Sequence, residues 1–189
     1  QDEEEVKMLS AEKDPSLRLS IDSCDIEFTD RWQGVQHIHL EGELDDYVLR
    51  RGDGMYAYNL AVVLDDIAMG ITEVIRGDDL LDTTGQQIYL YKTLQQCLHS
   101  KHIKVPSYGH APLLIDSEGH RLSKRQKSIT IRELRDNQWS ANRIVGELAI
   151  AGGLVQANTL KNREISISEL IEIDLNLPTL SQKMIEIKI

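Results

Sequence analysis

The chain has 189 residues, enough for a single domain or slightly more, with 41% apolar and 28% charged residues, an ordinary globular composition. Acids outnumber Lys plus Arg by 31 to 21, and the net charge of -10 argues against a general binder of nucleic acid or anionic membrane, which needs excess positive charge. A small basic patch on an acidic body stays compatible with that balance.

In chain order, residues 1–14 carry six acids against Lys7 and Lys13 and read as the solvated tail of a helix stopped by Pro15. Short β-branched or alternating runs follow at Leu17–Ile21, Ile26–Thr29, Val35–Leu40 and Tyr47–Arg50, punctuated by Gly and Asp. The period then changes. Leu60, Val63, Leu64 and Ile67 share one helical face that ends near Gly70. Thr72–Ile75 reads as a buried strand. Thr83 or Thr84 offers an N-cap for a helix whose apolar face is Ile88, Tyr91, Leu94 and Leu98. Leu113–Ile115 is strand-like and precedes a turn over residues 116–119. In the last third, Thr130-x-x-Glu133 and Ser166-x-x-Glu169 match the capping box, and Ser140 suits the start of a helix running to Gly152-Gly153. Alternating strands and helices in the middle predict an α/β layer with a small helical appendage.

The length and type of these runs exclude several chemistries. No apolar stretch approaches the roughly 18 residues of a membrane span. Cys24 and Cys97 are the only cysteines and form no CxxC, which excludes a disulfide scaffold and a self-contained cysteine zinc site. A reducing, cytoplasmic setting fits this usage, and the acidic N-terminus is the reverse of a signal peptide. The first residue is not Met, so the chain reads as a processed product or a piece of something longer. There is no GxGxxG, GxxxxGK[ST] or GxSxG, and no Ser/His/Asp or Cys/His nucleophile stands out.

Two features point to anion chemistry. Seven basic residues (Arg121, Lys124, Arg125, Lys127, Arg132, Arg135, Arg143) stand against Glu133 and Asp136 over residues 120–143, a local excess of five. Ammonium and guanidinium groups on a loop suit a polyphosphate, and a solvated basic turn is the alternative. Arg76 ends the strand at Thr72–Ile75, the edge where open α/β sheets place ligand contacts, and a guanidinium there suits a carboxylate. An ion pair with Asp78, Asp79 or Asp82 is its alternative. The adjacent acid pairs Asp45-Asp46, Asp65-Asp66 and Asp78-Asp79 point to different sides and form no ready metal site, although Mg²⁺ entering with a nucleotide can take one carboxylate. Cys97, His99 and His102, or His37 and His39, fall short of the three or four converging ligands of zinc. Arg51-Gly52-Asp53 reads as a tight turn between Arg50 and Tyr56.

Six ordered segments together resemble one family. They are Val48-Leu-Arg-Arg-x-Asp-Gly54, Tyr56-Ala-Tyr-Asn-Leu-Ala-Val-Val-Leu-Asp-Asp66, Met69-Gly-Ile-Thr-Glu-Val-Ile-Arg-Gly-Asp-Asp-Leu-Leu81, Gln87-Ile-Tyr-Leu90, Tyr108-x-His110-x-Pro-Leu113 and Arg121-Leu-Ser-Lys-Arg125. This pattern resembles the catalytic core of the glutamyl-tRNA synthetases, and more closely their small paralogues, the glutamyl-Q tRNA(Asp) synthetases, from about Leu17 onward. The short stretch after the basic loop favours the paralogue, which lacks the anticodon-binding domain.

The resemblance implies the second half of a class I, Rossmann-type synthetase core with a small C-terminal helical region. Expected divisions are an acidic segment at 1–16, a partial catalytic core at 17–128 and a helical region at 129–189. The implied activity is activation of glutamate with ATP and Mg²⁺, then transfer to queuosine of tRNA(Asp). A cut glutamyl-tRNA synthetase, or a non-catalytic tRNA- or protein-binding relic, are the alternatives. Tyr58 and Arg76 match positions that hold glutamate. Arg121, Leu122, Ser123, Lys124 and Arg125 match the KMSKS-type ATP loop, with Lys124 as the catalytic lysine. The family's His-x-Gly-His motif does not occur here, and neither does its zinc-binding cysteine cluster. The chain is therefore expected to be the C-terminal part of such an enzyme, with zinc confined to the missing half and little or no activity alone.

Overall fold

The computed structural model describes residues 14–42, 47–115, 118–122 and 130–173, together with the backbone of 184–186. Its strands are β1 (Leu17–Leu19), β2 (Cys24–Asp30), β3 (Gly34–Leu40), β4 (Tyr47–Arg50), β5 (Glu73–Gly77), β6 (Ser107–Ala111), β7 (Leu113–Ile115) and β8 (Met184–Glu186). The helices are α1 (Tyr58–Met69), α2 (Thr84–Cys97), α3 (Ile131–Asp136), α4 (Ala141–Ala151) and α5 (Ile167–Glu172). A four-stranded sheet has the order β3-β2-β6-β5, and β1-β4 and β7-β8 form two-stranded sheets. The expected helical tail at the N-terminus falls on residues 1–13, outside the described residues.

The chain divides into two units that alternate along the sequence. The first takes the described residues up to Thr29, then Val35–Val74 and Leu81–Ser107. Its core is Ile21, Ile26, Leu40, Tyr47, Val63, Leu81, Ile88, Leu90, Tyr91 and Ile103. Each buried Leu, Ile or Val stabilises the unit by about 1.5–3 kcal/mol. β1 and β4 pair antiparallel, Arg18 opposite Val48 and Leu19 opposite Tyr47. The Arg51-Gly52-Asp53 stretch is a tight turn, as expected. Arg51 N–H donates to the Met55 carbonyl (2.8 Å), Asp53 Oδ1 accepts from Met55 N–H (3.1 Å), and Gly54 takes φ +86°.

Helix α1 ends where the sequence places its stop. Gly70 adopts φ 67°, a left-handed conformation that glycine reaches without a Cβ clash, and Asp66 O accepts from Ile71 N–H at 2.9 Å. Of the expected face, Val63 is buried while Leu64 stays 44% exposed. Helix α2 buries its first half (Thr84, Gly85, Gln87, Ile88, Leu90, Tyr91) and exposes Leu98. A Cβ on Gly85 would lie 2.8 Å from Ile38 Cγ2, so this helix meets β3 through a glycine. Thr83 immediately precedes α2, yet it is no side-chain cap. Its φ/ψ of −80°, −8° is already helical, whereas a capping hydroxyl needs an extended backbone to reach the N3 N–H.

The second unit comprises Asp30–Gly34, Ile75–Leu80 and the described residues from Tyr108 on. Here β2 and β6 run parallel with Asp30 opposite Tyr108, and Arg31 N–H donates to the Tyr108 carbonyl at 2.9 Å. β7 pairs in parallel with β8, Leu114 opposite Ile185. The expected capping boxes of α3 and α5 both form, and Ser140 Oγ caps α4 by accepting from Arg143 N–H at 3.0 Å. At the end of α4 the left-handed residue is Gly153 (φ 69°), one position beyond the C-cap Gly152. Gly146 lets α4 meet the following segment: a Cβ there would sit 2.0 Å from the Arg163 carbonyl oxygen. The buried Glu147 carboxylate then takes both arms of the Arg163 guanidinium.

Two strands differ from the sequence expectation. β5 starts at Glu73 and continues through Arg76 to Gly77, and Ile75 is 51% exposed, so it is not a fully buried strand. β6, Ser107–Ala111, has no apolar alternation and was not expected. Tyr108, Gly109 and His110 are all buried there, so a two-faced pattern has nothing to report.

Candidate active site

Arg76 occupies the next-to-last position of β5, so its side chain leaves the strand at the C-terminal end. Its contacts include the following. Nε donates to His110 Nε2 at 3.0 Å, Nη2 donates to the Leu80 carbonyl at 3.3 Å, and the guanidinium carbon lies 5.3 Å from the Tyr108 ring centroid. The aromatic face attracts the cation electrostatically. Tyr108 and His110 alternate on β6 and therefore face the same way, with centroids 6.1 Å apart and planes 15° from parallel. Between them, Gly109 lets the Trp32 ring approach closely, since a Cβ would lie 2.9 Å from a ring carbon.

Behind His110 lies Asp30, the last residue of β2. Both side chains are fully buried, and His110 Nδ1 meets Asp30 Oδ2 at 2.6 Å. Asp30 Oδ1 accepts the backbone N–H groups of Trp32 (3.0 Å), Gln33 (3.0 Å) and His110 (3.1 Å). Burial alone pushes this carboxyl up, but the N–H of Gln33, the His110 ring and the remaining N–H donors outweigh it and hold the group below its ordinary 3.8. A charged carboxylate is thus held in the interior by four donors, as a buried ion requires.

The turn that follows β5 serves a second arginine. Leu80 of the Asp78–Leu80 turn receives Arg76, and Asp79 pairs with Arg121 (Nη1 to Oδ2, 3.0 Å). Arg121 bridges back to Ile115, and Leu122 N–H donates to the Leu114 carbonyl at 2.9 Å, which anchors the start of the basic loop on β7. Ser123, Lys124 and Arg125 lie outside the described residues. Gly77 makes room for Asp79, whose Oδ1 would be 2.6 Å from a Cβ at that position. The second unit therefore gathers Arg76 and Arg121 around one turn.

Tyr58 belongs to the first unit, at the first residue of α1, and is 62% exposed. His37 and His39 sit on β3 beside Glu27 (3.3 Å) and Asp25 (2.8 Å), both exposed pairs. Cys97 is exposed at the end of α2, and His99 follows with φ 46°. Among the described residues, no group of three or more His, Cys, Asp or Glu side chains converges as a metal site. The same residues include no helix long and apolar enough to cross a membrane.

Sequence reasoning picked out Arg76 and the Tyr108-x-His110 motif without a role for the histidine, and it passed over Asp30. The available signal was chemical: an Asp closing a β-branched strand, and a His in a stretch otherwise suited to burial.

The α/β fold has a parallel strand pair and a cation at a strand's C-terminal end, and its class, the catalytic domain of a class I tRNA synthetase, is given by the family match. Residues 1–185 match the model of "tRNA synthetases class I (E and Q), catalytic domain". The chain belongs to this family. It is 43% identical over 143 residues to the glutamyl-Q tRNA(Asp) synthetase of Symbiobacterium thermophilum, covering 76% of this chain and 42% of that protein. The corresponding enzyme of Nitratidesulfovibrio vulgaris is 43% identical over 141 residues, covering 75% and 41%. The crystal structure of the glutamate-tRNA synthetase from Elizabethkingia anophelis matches with a TM-score of 0.72 at 26% identity, covering 98% of this chain and 39% of that one. The chain spans about two fifths of the length of these relatives.

Proposed function

We propose that the protein carrying this chain activates glutamate with ATP and transfers the glutamyl group to queuosine of tRNA(Asp). In the first step a glutamate carboxylate oxygen bonds to the α-phosphorus of ATP and pyrophosphate leaves. In the second, a queuosine hydroxyl attacks the acyl carbon and releases AMP. The observation that carries this reading is the Arg76 guanidinium, held by His110, Leu80 and Tyr108 at the C-terminal end of β5, where α/β sheets bind ligands. Such a group suits a carboxylate of glutamate. The loop Arg121–Arg125 is assigned to ATP, with Lys124 stabilising charge that develops on the polyphosphate. Mg²⁺ entering with ATP would neutralise phosphate charge.

On this reading residues 17–128 are part of the catalytic core and 129–189 an appended helical region. Its arginines, including Arg143 stacked 3.9 Å over Trp139, suit contacts to tRNA phosphates. A cytoplasmic setting goes with a tRNA substrate. The 189 residues contain no His-x-Gly-His, so ATP–pyrophosphate exchange by this chain alone is expected at background.

The test is glutamate-dependent ATP–pyrophosphate exchange by the protein that carries this segment. Arg76→Gln should raise the glutamate KM by about 10–100-fold, the range expected for a lost charge-assisted carboxylate contact, with the ATP KM unchanged. An unchanged glutamate KM would remove Arg76 from the substrate site. The glutamate-tRNA synthetase structures favour charging of tRNA(Glu) as the second reading. Glutamate transfer to tRNA(Glu), and none to tRNA(Asp) bearing queuosine, would select it.

A further inference from the structure

A guanidinium donates hydrogen bonds and accepts none. The His110 Nε2 that meets Arg76 Nε at 3.0 Å is therefore the ring's lone-pair nitrogen, and the ring proton is on Nδ1, facing Asp30 Oδ2 at 2.6 Å. Asp30 cannot turn away, because its other oxygen is fixed by three backbone N–H groups of residues 32, 33 and 110. The hydrogen bonds thus run in one direction, each group donating to the next, from the guanidinium through the imidazole to the buried carboxylate.

We propose that Asp30 and His110 are positioning residues for substrate recognition: they hold the imidazole so that Nε2 captures the Nε–H of Arg76 and fixes the plane in which this arginine presents its terminal N–H groups to a carboxylate. This inference rests on the reading of Arg76 as the glutamate contact and adds two residues that touch no substrate. The physical basis is geometric. A two-point contact between guanidinium and carboxylate requires the two groups to be coplanar, and an arginine on a flexible stem loses conformational freedom when it is so fixed. Fixing Nε in the free protein removes most of that loss at the moment of binding. The 15° stack of Tyr108 against His110 holds the ring plane, and Tyr108 also faces the guanidinium.

The experiment measures KM for glutamate and for ATP, with kcat and Tm, in the protein that carries this segment. Its variants are Arg76→Lys, His110→Asn, His110→Gln and the double Arg76→Lys/His110→Asn. Asparagine keeps a donor at the Nδ1 place for Asp30 but offers no acceptor to Arg76. Glutamine reaches the Nε2 place with a carbonyl. The expected result is a glutamate KM about tenfold higher for His110→Asn, ATP KM unchanged, substantial recovery for His110→Gln, and no further rise in the double variant over Arg76→Lys. A raised glutamate KM for Arg76→Lys with none for His110→Asn overturns the positioning role and leaves the substrate reading intact. An unchanged glutamate KM for Arg76→Lys overturns the substrate reading itself. A His110→Asn variant that shifts both KM values, kcat and Tm together, with no recovery by glutamine, shows a structural role only and also overturns the proposal.

Discussion

Two parts of the second unit are held together by opposite means. Asp30, His110 and Arg76 come from three strands, with hydrogen bonds spanning 80 and 34 positions of sequence, and the carboxylate and imidazole are wholly buried. Two helices within residues 130–173 are instead started by contacts three positions apart at exposed ends: Glu133 N–H to Thr130 Oγ1 (3.1 Å) and Glu169 N–H to Ser166 Oγ (3.2 Å). A buried network fails as a whole, because each lost partner strands another polar group without water. Exposed caps fail singly, because water replaces the missing partner.

The largest expected effect is therefore at Asp30. Asp30→Ala removes the acceptor of His110 Nδ1 and of three backbone N–H groups, and should destabilise the chain by about 4 kcal/mol, read as a lower urea midpoint. A loss below about 1 kcal/mol would mean that the network is not one unit. Next comes Gly146→Ala. The added Cβ would meet the Arg163 carbonyl at 2.0 Å, so the segment must move, at a cost of about 2–3 kcal/mol. Like the Glu147–Arg163 pair beside it, that contact joins residues distant in sequence, and a neutral substitution would show that the segment is free to shift.

Smaller effects belong to the caps. Thr130→Ala and Ser166→Ala should each cost about 1 kcal/mol, and the double variant should show their sum. Non-additivity would contradict the independence of these helix starts. The smallest effect is in acid. Hydrogen bonds from Thr130 hold the Glu133 carboxyl below its ordinary 4.5, and those from Ser166 do the same for Glu169. A depressed native pKa gives a contribution fully present above 4.5 and lost as pH falls through the lower native value. Ser166→Ala should flatten the acid limb of stability against pH over that range, and leave stability near pH 7 lower by the cap together with the lost carboxylate contribution.

The same contrast explains what the sequence reveals. Thr130-x-x-Glu133, Ser166-x-x-Glu169, Ser140 and the Gly70 stop are local patterns, and the structure forms all of them. Tyr47–Arg50 and Leu113–Ile115 match their strands to the residue. Thr83 fails as a cap because the preceding turn has already set it in a helical conformation. β6 was hidden because a strand buried through Tyr108, Gly109 and His110 carries no alternation. Asp30 and His110 were illegible as a pair, since nothing local says that residues 80 positions apart share a proton. Arg76 was legible in chemistry, while the imidazole that receives its Nε–H, 34 positions away, was not.

The most direct test of the account is where the proton sits on His110. Long-range ¹H–¹⁵N correlation spectra of the chain at neutral pH, assigned with His110→Gln, separate the two ring nitrogens. The account predicts a protonated Nδ1 and a proton-free Nε2 whose resonance moves when Arg76 becomes Gln. A proton on Nε2, or a resonance indifferent to Arg76, would contradict the chain of hydrogen bonds from Asp30 to Arg76.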